Sequence, residues 1–352
     1  MSKLTKALTA AAGNAGAGAL YAEDVFSTYL YEGTGATQSI NNGIDLDGEG
    51  GMTWIKCRNT AFNNVIFDTE RGAPNALLTN TTDQNISFYS DSLTSFNLDG
   101  FSLGADTTSL LVNNGNNRDY CSWSFRKAEK FFDVVTYTGT GTPQTIAHNL
   151  GVAPAFIITK KTSSTSNWAT NDPSQANPWS GALLLNSTNA FTTASTVWND
   201  TAPTDSVFTV GTSDATNLSG QTYVAYLFAS DAGGFGDDGS ENIIKCGSYT
   251  GNGATGQEIN LGFEAQWVLV KSSTNANSWY IVDLMRGMSY GGFNTLSPNS
   301  SAAEVDLSGL NRITPTATGF SLNGDWSGNE NGWGYIYIAI RRPMKTPEAG
   351  TE

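Results

Sequence analysis

Histidine is almost missing from this sequence: His148 stands alone among 352 residues. Nucleophilic catalysis through histidine needs a nucleophile and an orienting acid beside the ring. The surrounding "TIAHNLG" carries no such motif, so His148 reads as a structural or surface residue. Cysteine is scarce as well. Cys57, Cys121 and Cys246 are odd in number and far apart, which argues against a disulfide scaffold or a zinc site and leaves buried free thiols. Charge is thin, at 14% of residues, and its balance is acidic, with a net charge of −14. That excess disfavours a nucleic-acid backbone or an anionic membrane surface as partner. The sequence also lacks a run of about 18 apolar residues, the length that crosses a bilayer as a helix.

What the chain does have is glycine, 38 residues of it, with abundant serine, threonine and asparagine. Nine Trp, thirteen Tyr and seventeen Phe accompany them. A disordered chain would carry more charge and fewer aromatics. Aromatic and β-branched residues favour strands, while Gly and Asn favour turns, so the composition predicts a folded all-β protein. The opening "MSKLTKALTAAAGNAGAGALYA" places Lys3 and Lys6 before an Ala-rich stretch, in the manner of a secretion signal. Asn14 and the glycines interrupt the apolar core that such a signal needs, which favours a structural N-terminal arm or short helix.

The same text is written three times. "YEGTGATQSI", "YTGTGTPQTI" and "YTGNGATGQEI" begin at Tyr31, Tyr137 and Tyr249, 106 and 112 residues apart. Each is followed by a strand ending in lysine ("MTWIKCRNT", "AFIITKKTS", "QWVLVKSST") and then by an aromatic strand ("NNVIFDTERG", "NWATND", "SWYIVDLMRG"). Next come "GFSLG", "VFTVG" and "GFSLNG", and each unit closes on a long strand: "YCSWSFRKA", "YVAYLFAS", "YIYIAIRRP". A unit of about 100 residues is too long for a solenoid rung and has the size of a domain with its own core. The sequence therefore predicts three tandem β-sandwich domains, jelly-roll or concanavalin-like, over residues 27–129, 130–232 and 240–343. An N-terminal arm (1–26) precedes them and a tail (344–352) follows; Ala229–Asn242 is the most linker-like stretch. The recurring "TGTG" or "TGNG" reads as turn chemistry, not as a phosphate cradle.

On the closing strands, Cys121, Val224 and Ile336 share a position, as do Trp123, Tyr226 and Ile338, and Phe125, Phe228 and Ile340. This face is apolar in every copy. The alternate face varies, with Ser122 and Ser124, then Ala225 and Leu227, then Tyr337 and Ala339. The pattern predicts a half-buried strand whose constant face is the inner wall of each sandwich.

Chemistry-bearing clusters are few. "DLDGEG" presents Asp45, Asp47 and Glu49, and "GDDGSEN" presents Asp237, Asp238 and Glu241; each reads either as a Ca²⁺ loop with oxygen ligands or as a solvated acidic turn. Asp68/Arg71/Gly72 and Asp283/Arg286/Gly287 share an Asp-x-x-Arg-Gly pattern, which the middle unit lacks; an internal ion pair steadying a turn and a ligand grip both fit it. The loop "GDWSGNENGWG" mixes Asp325, Trp326, Asn329 and Trp333, a combination that can stack on and hydrogen-bond a sugar, or else turn its rings into the core.

The stretches "FSTYLYEGTG", "GFSLG" and "YIAIRRP" resemble virion proteins of tailed bacteriophages, especially phages of marine bacteria, which carry tandem copies of a β-domain. The resemblance spans about Leu4 to Pro347. It implies a non-enzymatic structural part of the particle exterior, of tail-fibre or tail-appendage type, that partners other virion proteins as a homo-oligomer and meets host surface polysaccharide. Two other readings stand beside it. One is a capsid decoration or cement protein held by its N-terminal arm, and the other is a polysaccharide depolymerase, for which the residues offer no site.

Overall fold

The computed structural model describes residues 18–345, apart from 108, 116, 290, 291, 307–309 and 311. The chain is all-β, and its sheets are antiparallel throughout. In the first repeat the main sheet runs in the order Phe26–Glu32, Asp119–Arg126, Gly51–Cys57, Val65–Asp68, Ala76–Leu78. In the second the order is Phe132–Thr138, Thr222–Phe228, Phe156–Lys161, Trp168–Thr170, Gly181–Leu184, Thr192–Thr193, and in the third Ile244–Thr250, Gly334–Arg341, Ala265–Ser272, Trp279–Asp283. The closing strand always lies between the opening strand and the lysine strand. Each repeat adds a smaller sheet built on the Gln-containing strand, pairing Gln38–Asn41 with Gly100–Leu103, Gln144–Ala147 with Val207–Val210, and Gln257–Asn260 with Gly319–Leu322.

The two sheets of a repeat enclose an apolar layer, as a sandwich requires. In the first repeat Ile40, Phe101 and Leu103 from the small sheet meet Ile55, Val65 and Phe67 from the main sheet. In the third, Ile259, Phe320 and Leu322 meet Val268, Val270 and Val282.

The closing strands depart from the sequence expectation. Both faces are buried, not one: six consecutive residues from Tyr120 to Phe125, and six from Tyr335 to Ile340, are all inaccessible. The faces are also exchanged. In the third repeat the variable face turns into the repeat's own sandwich, where Tyr335, Tyr337 and Ala339 pack, and in the first Ser124 Oγ accepts from Asn42 beside the small sheet; in the second, Ala225 and Leu227 are buried in continuity with the shared interior. The constant face (Cys121, Trp123 and Phe125; Val224, Tyr226 and Phe228; Ile336, Ile338 and Ile340) belongs to one apolar cluster drawn from all three repeats. Phe125 of the first repeat lies 5.8 Å from Phe228 of the second and 5.8 Å from Trp267 of the third, ring centre to ring centre. Those positions stay apolar because three main sheets share them, whereas in the first and third repeats the variable face meets a small sheet of its own sequence.

Around this interior the repeats meet in a ring, through equivalent residues each time. Lys56, Lys160 and Lys271 are fully buried. Each ammonium donates to a backbone carbonyl of the preceding repeat: Lys56 to Ser301 at 2.8 Å, Lys160 to Thr82 at 2.9 Å and Lys271 to Thr188 at 3.3 Å. The start of the aromatic strand does the same. Asn64 Nδ2 donates to the Ser300 carbonyl at 2.8 Å, Trp168 Nε1 to Leu78 at 3.0 Å, and Trp279 Nε1 to Leu184 at 3.0 Å. Backbone bonds from Glu304 to Arg58, Asn85 to Thr162 and Phe191 to Ser273 complete the three junctions. A buried cation is tolerable only with such acceptors. Burial still lowers each lysine to about 8.

The connections between repeats fold into the structure. Phe131 and Phe235 are buried, and Gly236 N–H donates to the Leu20 carbonyl. A short helix, Ala22–Val25, sets Ala22 and Val25 into the shared cluster. Its Glu23 carboxylate accepts from the backbone of Met344 at 3.0 Å and Lys345 at 2.7 Å, so the described start of the arm and the start of the tail are tied together. Residues 1–17 of the predicted arm and 346–352 of the tail lie outside the described residues.

Candidate functional site

The thrice-written motif is a structural clasp. In each copy the first glycine has no room for a side chain: a Cβ on Gly33, Gly139 or Gly251 would lie 2.2, 2.3 or 2.4 Å from a backbone oxygen. The second glycine takes a left-handed φ, at +62° for Gly35, +76° for Gly141 and +66° for Gly253. A buried asparagine holds the turn. Asn113 Oδ1 accepts from Thr34 N at 3.0 Å, and its Nδ2 donates to Ala36 O at 2.7 Å and Gly104 O at 2.5 Å. Asn217 makes the same bonds to Thr140, Thr142 and Gly211, and Asn329 to Asn252, Ala254 and Gly324. The motif tyrosine stacks on the first tyrosine of the closing strand, with centroids 5.1 Å apart for Tyr31–Tyr120, 5.1 Å for Tyr137–Tyr223 and 5.0 Å for Tyr249–Tyr335. The asparagine was available in the sequence, six or seven residues before that tyrosine each time.

This arrangement decides the role of the proposed sugar loop. Asn329 is fully buried and serves the clasp. Trp326 turns inward, 4.9 Å from Phe293 at an edge-on 73° and 5.8 Å from Tyr280. Trp333 packs partly buried on the same cluster, which leaves Asp325 as the exposed member. Asn329 is thus withdrawn into the fold, while Trp326 and Trp333 are half-buried and Asp325 faces solvent.

The acidic turns do not converge on a cation. Among the described residues no three His, Cys, Asp or Glu side chains group as a metal-binding set. Asp45 accepts from Gly48 N at 2.6 Å, and Glu49 lies 3.5 Å from Arg126. Asp47 is exposed. Asp237 takes the Tyr21 hydroxyl, and Asp238 caps Ser240 through N–H and hydroxyl at 3.0 and 2.7 Å. His148 is buried, accepts from Leu150 N at 3.2 Å, and is pushed below its usual value by burial, so it is neutral at pH 7. Cys57 and Cys121 are buried free thiols, and Cys246 is half-buried and free.

The Asp-x-x-Arg pairs sit at junctions between repeats. Arg286 Nε donates to Asp283 at 2.7 Å, with both side chains fully buried, and Trp123 of the first repeat donates its Nε1–H to the same carboxylate at 3.0 Å. Arg71 Nε donates to Asp68 at 2.7 Å, and Tyr226 of the second repeat donates its hydroxyl to that carboxylate at 2.7 Å. Burial pulls the Arg286 guanidinium down, but the surrounding Asp283 and Glu304 carboxylates and the Asp283 hydrogen bond together push it up past its usual value, so the guanidinium stays charged. The third junction lacks both parts: the middle repeat has no such arginine, and Ile338 stands where Trp123 and Tyr226 stand elsewhere. The donor and the ion pair are lost together, so the second–third junction carries neither a buried arginine nor a side-chain donor reaching for it.

Beside Arg71, where the first repeat meets the second, a cleft of about 290 Å³ opens to the surface. Arg71, Asn75, Asn85, Thr136, Thr162, Thr222 and Tyr223 line it. Thr162 and Thr222 share a hydroxyl–hydroxyl bond of 2.6 Å, and Asn85 Nδ2 donates to Asn75 Oδ1 at 2.6 Å. Arg71 Nη1 donates to Asn85 Oδ1 at 2.7 Å. No motif in the chain marks this cleft, because its walls come from two repeats.

No curated protein matches the chain. One family profile does, that of a domain of unknown function, DUF7483, and it covers residues 22–343, which is all three repeats and the short helix before them. On that match the chain belongs to the DUF7483 family.

Proposed function

We propose that this chain is a non-enzymatic structural component of the exterior of a tailed-phage particle, of tail-fibre or tail-appendage type. The observation that carries the non-catalytic part is how the polar side chains are used. The buried ones named above (Asn113, Asn217, Asn329, Asp68, Asp283 and the three lysines) are each bonded into the fold, and none is paired with a nucleophile. Three repeats wedged around one apolar interior suit a part whose task is to hold shape under load. The assignment to a phage particle rests on the sequence resemblance of "FSTYLYEGTG", "GFSLG" and "YIAIRRP" to tailed-phage virion proteins.

The test is the position of the protein on purified particles, read by immunogold electron microscopy with antibody against the folded chain. Label on the tail or its tip supports the reading. Label on the capsid makes the protein a decoration or cement component, and unlabelled particles overturn the virion assignment. Shortening of host polysaccharide by the purified protein would overturn the non-enzymatic part.

A further inference from the structure

We infer that the cleft between the first and second repeats binds a single neutral, hydroxyl-rich ring of the size of one pyranose. The chain contains its own comparison, because the three junctions are built on equivalent residues. At the junction of third and first repeats, Glu304 N–H donates to the Arg58 carbonyl, and at the cleft Asn85 N–H donates to the Thr162 carbonyl. Glu304 therefore corresponds to Asn85, and Arg58 to Thr162. The side chains agree: Glu304 Oε2 accepts from Arg286 Nη1 at 3.2 Å, as Asn85 Oδ1 accepts from Arg71 Nη1 at 2.7 Å.

At the third–first junction the space is filled. Arg58 forks onto Glu304, Nε to Oε2 at 3.0 Å and Nη2 to Oε1 at 2.8 Å. At the second–third junction the large Phe191 takes the corresponding position, through its backbone bond to Ser273. Only at the first–second junction are both residues short and uncharged, and there the cleft is found. Filling this space with a salt bridge is within the reach of the fold, and here it is left open.

The lining sets the ligand class. The Asn75 carboxamide is spent on Arg71 O, Gly72 O and Asn85 Nδ2, and Thr162 and Thr222 share one bond, so what faces a ligand is the Thr136 hydroxyl, the remaining hydroxyl positions of Thr162 and Thr222 and the second Nδ2 hydrogen of Asn85, a set that both donates and accepts. The Arg71 charge is matched by Asp68 at 2.7 Å, which leaves little pull on an anion. A volume of about 290 Å³ lies at the small end of the roughly 300–1,000 Å³ typical of small-molecule sites, room for one ring and not for a chain. Three residues beyond Asn85 in the chain, Phe88 is 72% exposed, its ring tilted at 58° to Tyr89 with centres 4.3 Å apart. This inference goes beyond the virion reading and does not depend on it: particle labelling tests location, and binding to the purified chain tests the cleft.

The experiment is saturation-transfer difference NMR on the full chain. The probes are free glucose, galactose, mannose and N-acetylglucosamine, with N-acetylneuraminic acid as the charged control. Saturation transfer to at least one neutral pyranose is expected, together with its loss, or affinity at least about tenfold weaker, in the double variant Asn85→Glu/Thr162→Arg. That variant copies the salt bridge of the third–first junction into the cleft and should unfold at or above the wild-type temperature. Thr222→Tyr, at an exposed strand position, closes the same cleft independently and is read in the same way if the double variant fails to fold. No transfer to any neutral pyranose, transfer to the charged control alone, or equal binding by the filled variants each overturns the assignment.

Discussion

Replacing Trp123 by phenylalanine tests whether the three repeats form one cooperative body. Trp123 belongs to the first repeat and is fully buried. Its Nε1–H reaches Asp283 of the third repeat at 3.0 Å, and the Arg286 guanidinium lies 5.3 Å from its ring centre. Phenylalanine keeps an aromatic face but removes the donor. Asp283 keeps Arg286 at 2.7 Å, so the carboxylate is weakened and not orphaned. A hydrogen bond to a charged group contributes about 1.5–3 kcal/mol. The smaller ring leaves a gap next to Trp54 that adds about 1 kcal/mol. The sum is about 3 kcal/mol, which lowers the unfolding temperature by roughly 6 °C at a sensitivity of about 2 °C per kcal/mol for a chain of this size. Differential scanning calorimetry should show one transition in the wild type and one in the variant, shifted as a whole. Combining Trp123→Phe with Asp283→Asn should be less harmful than the sum of the two by about 1 kcal/mol or more. Separate wild-type transitions of which Trp123→Phe moves only one would refute the shared interior and restore three independent domains.

Two further perturbations follow from the repeated features. Asn217→Ala removes the side chain that holds Thr140, Thr142 and Gly211, and should cost about 3 kcal/mol in urea denaturation; a loss under about 1 kcal/mol would mean that the clasp is ornamental. The buried lysines predict a pH dependence whose sign is set by burial. Lys160 falls to about 8 in the folded protein from 10.5, so between those values the unfolded chain binds the extra proton and stability rises with pH. Buried thiols and tyrosines, pushed up by burial, oppose this from about pH 9 upward, so the difference between wild type and Lys160→Met isolates the lysine. That difference should grow in favour of the wild type by about 1.4 kcal/mol per pH unit from pH 8 to 10; a flat difference would mean that the ammonium is not desolvated.

Much of the architecture was legible because it depends on local rules. Strand alternation, glycine-bearing turns and five landmarks in constant order identified the all-β class and the alignment of the three closing strands with one another. The same alternation misled on direction. A constant apolar face and a variable one look the same whether the constant face lines a private sandwich or a common interior, since periodicity reports burial and not the neighbour. Ser122 and Ser124 looked solvent-facing, yet both are fully buried, and Ser124 Oγ lies 3.2 Å from Thr53 Oγ1. For Asp325, Trp326, Asn329 and Trp333 the sequence left a sugar platform and inward-turned rings both open, because a polar loop with tryptophan has the same composition either way; in the structure Asn329 is buried and Trp326 packs edge-on against Phe293.

What the sequence determined alone is the repeated unit: its strands, its turns and the residues that must be apolar or glycine. Each of those follows from backbone sterics and from burial, which act over a few neighbouring residues. What only the tertiary structure decided is how the units meet. The partners of Lys56, Trp123 and Arg58 lie 245, 160 and 246 residues away, at Ser301, Asp283 and Glu304. The cleft owes its existence to the same kind of pairing: Asn85 and Thr162 are ordinary polar residues until the fold sets them where another junction holds an ion pair.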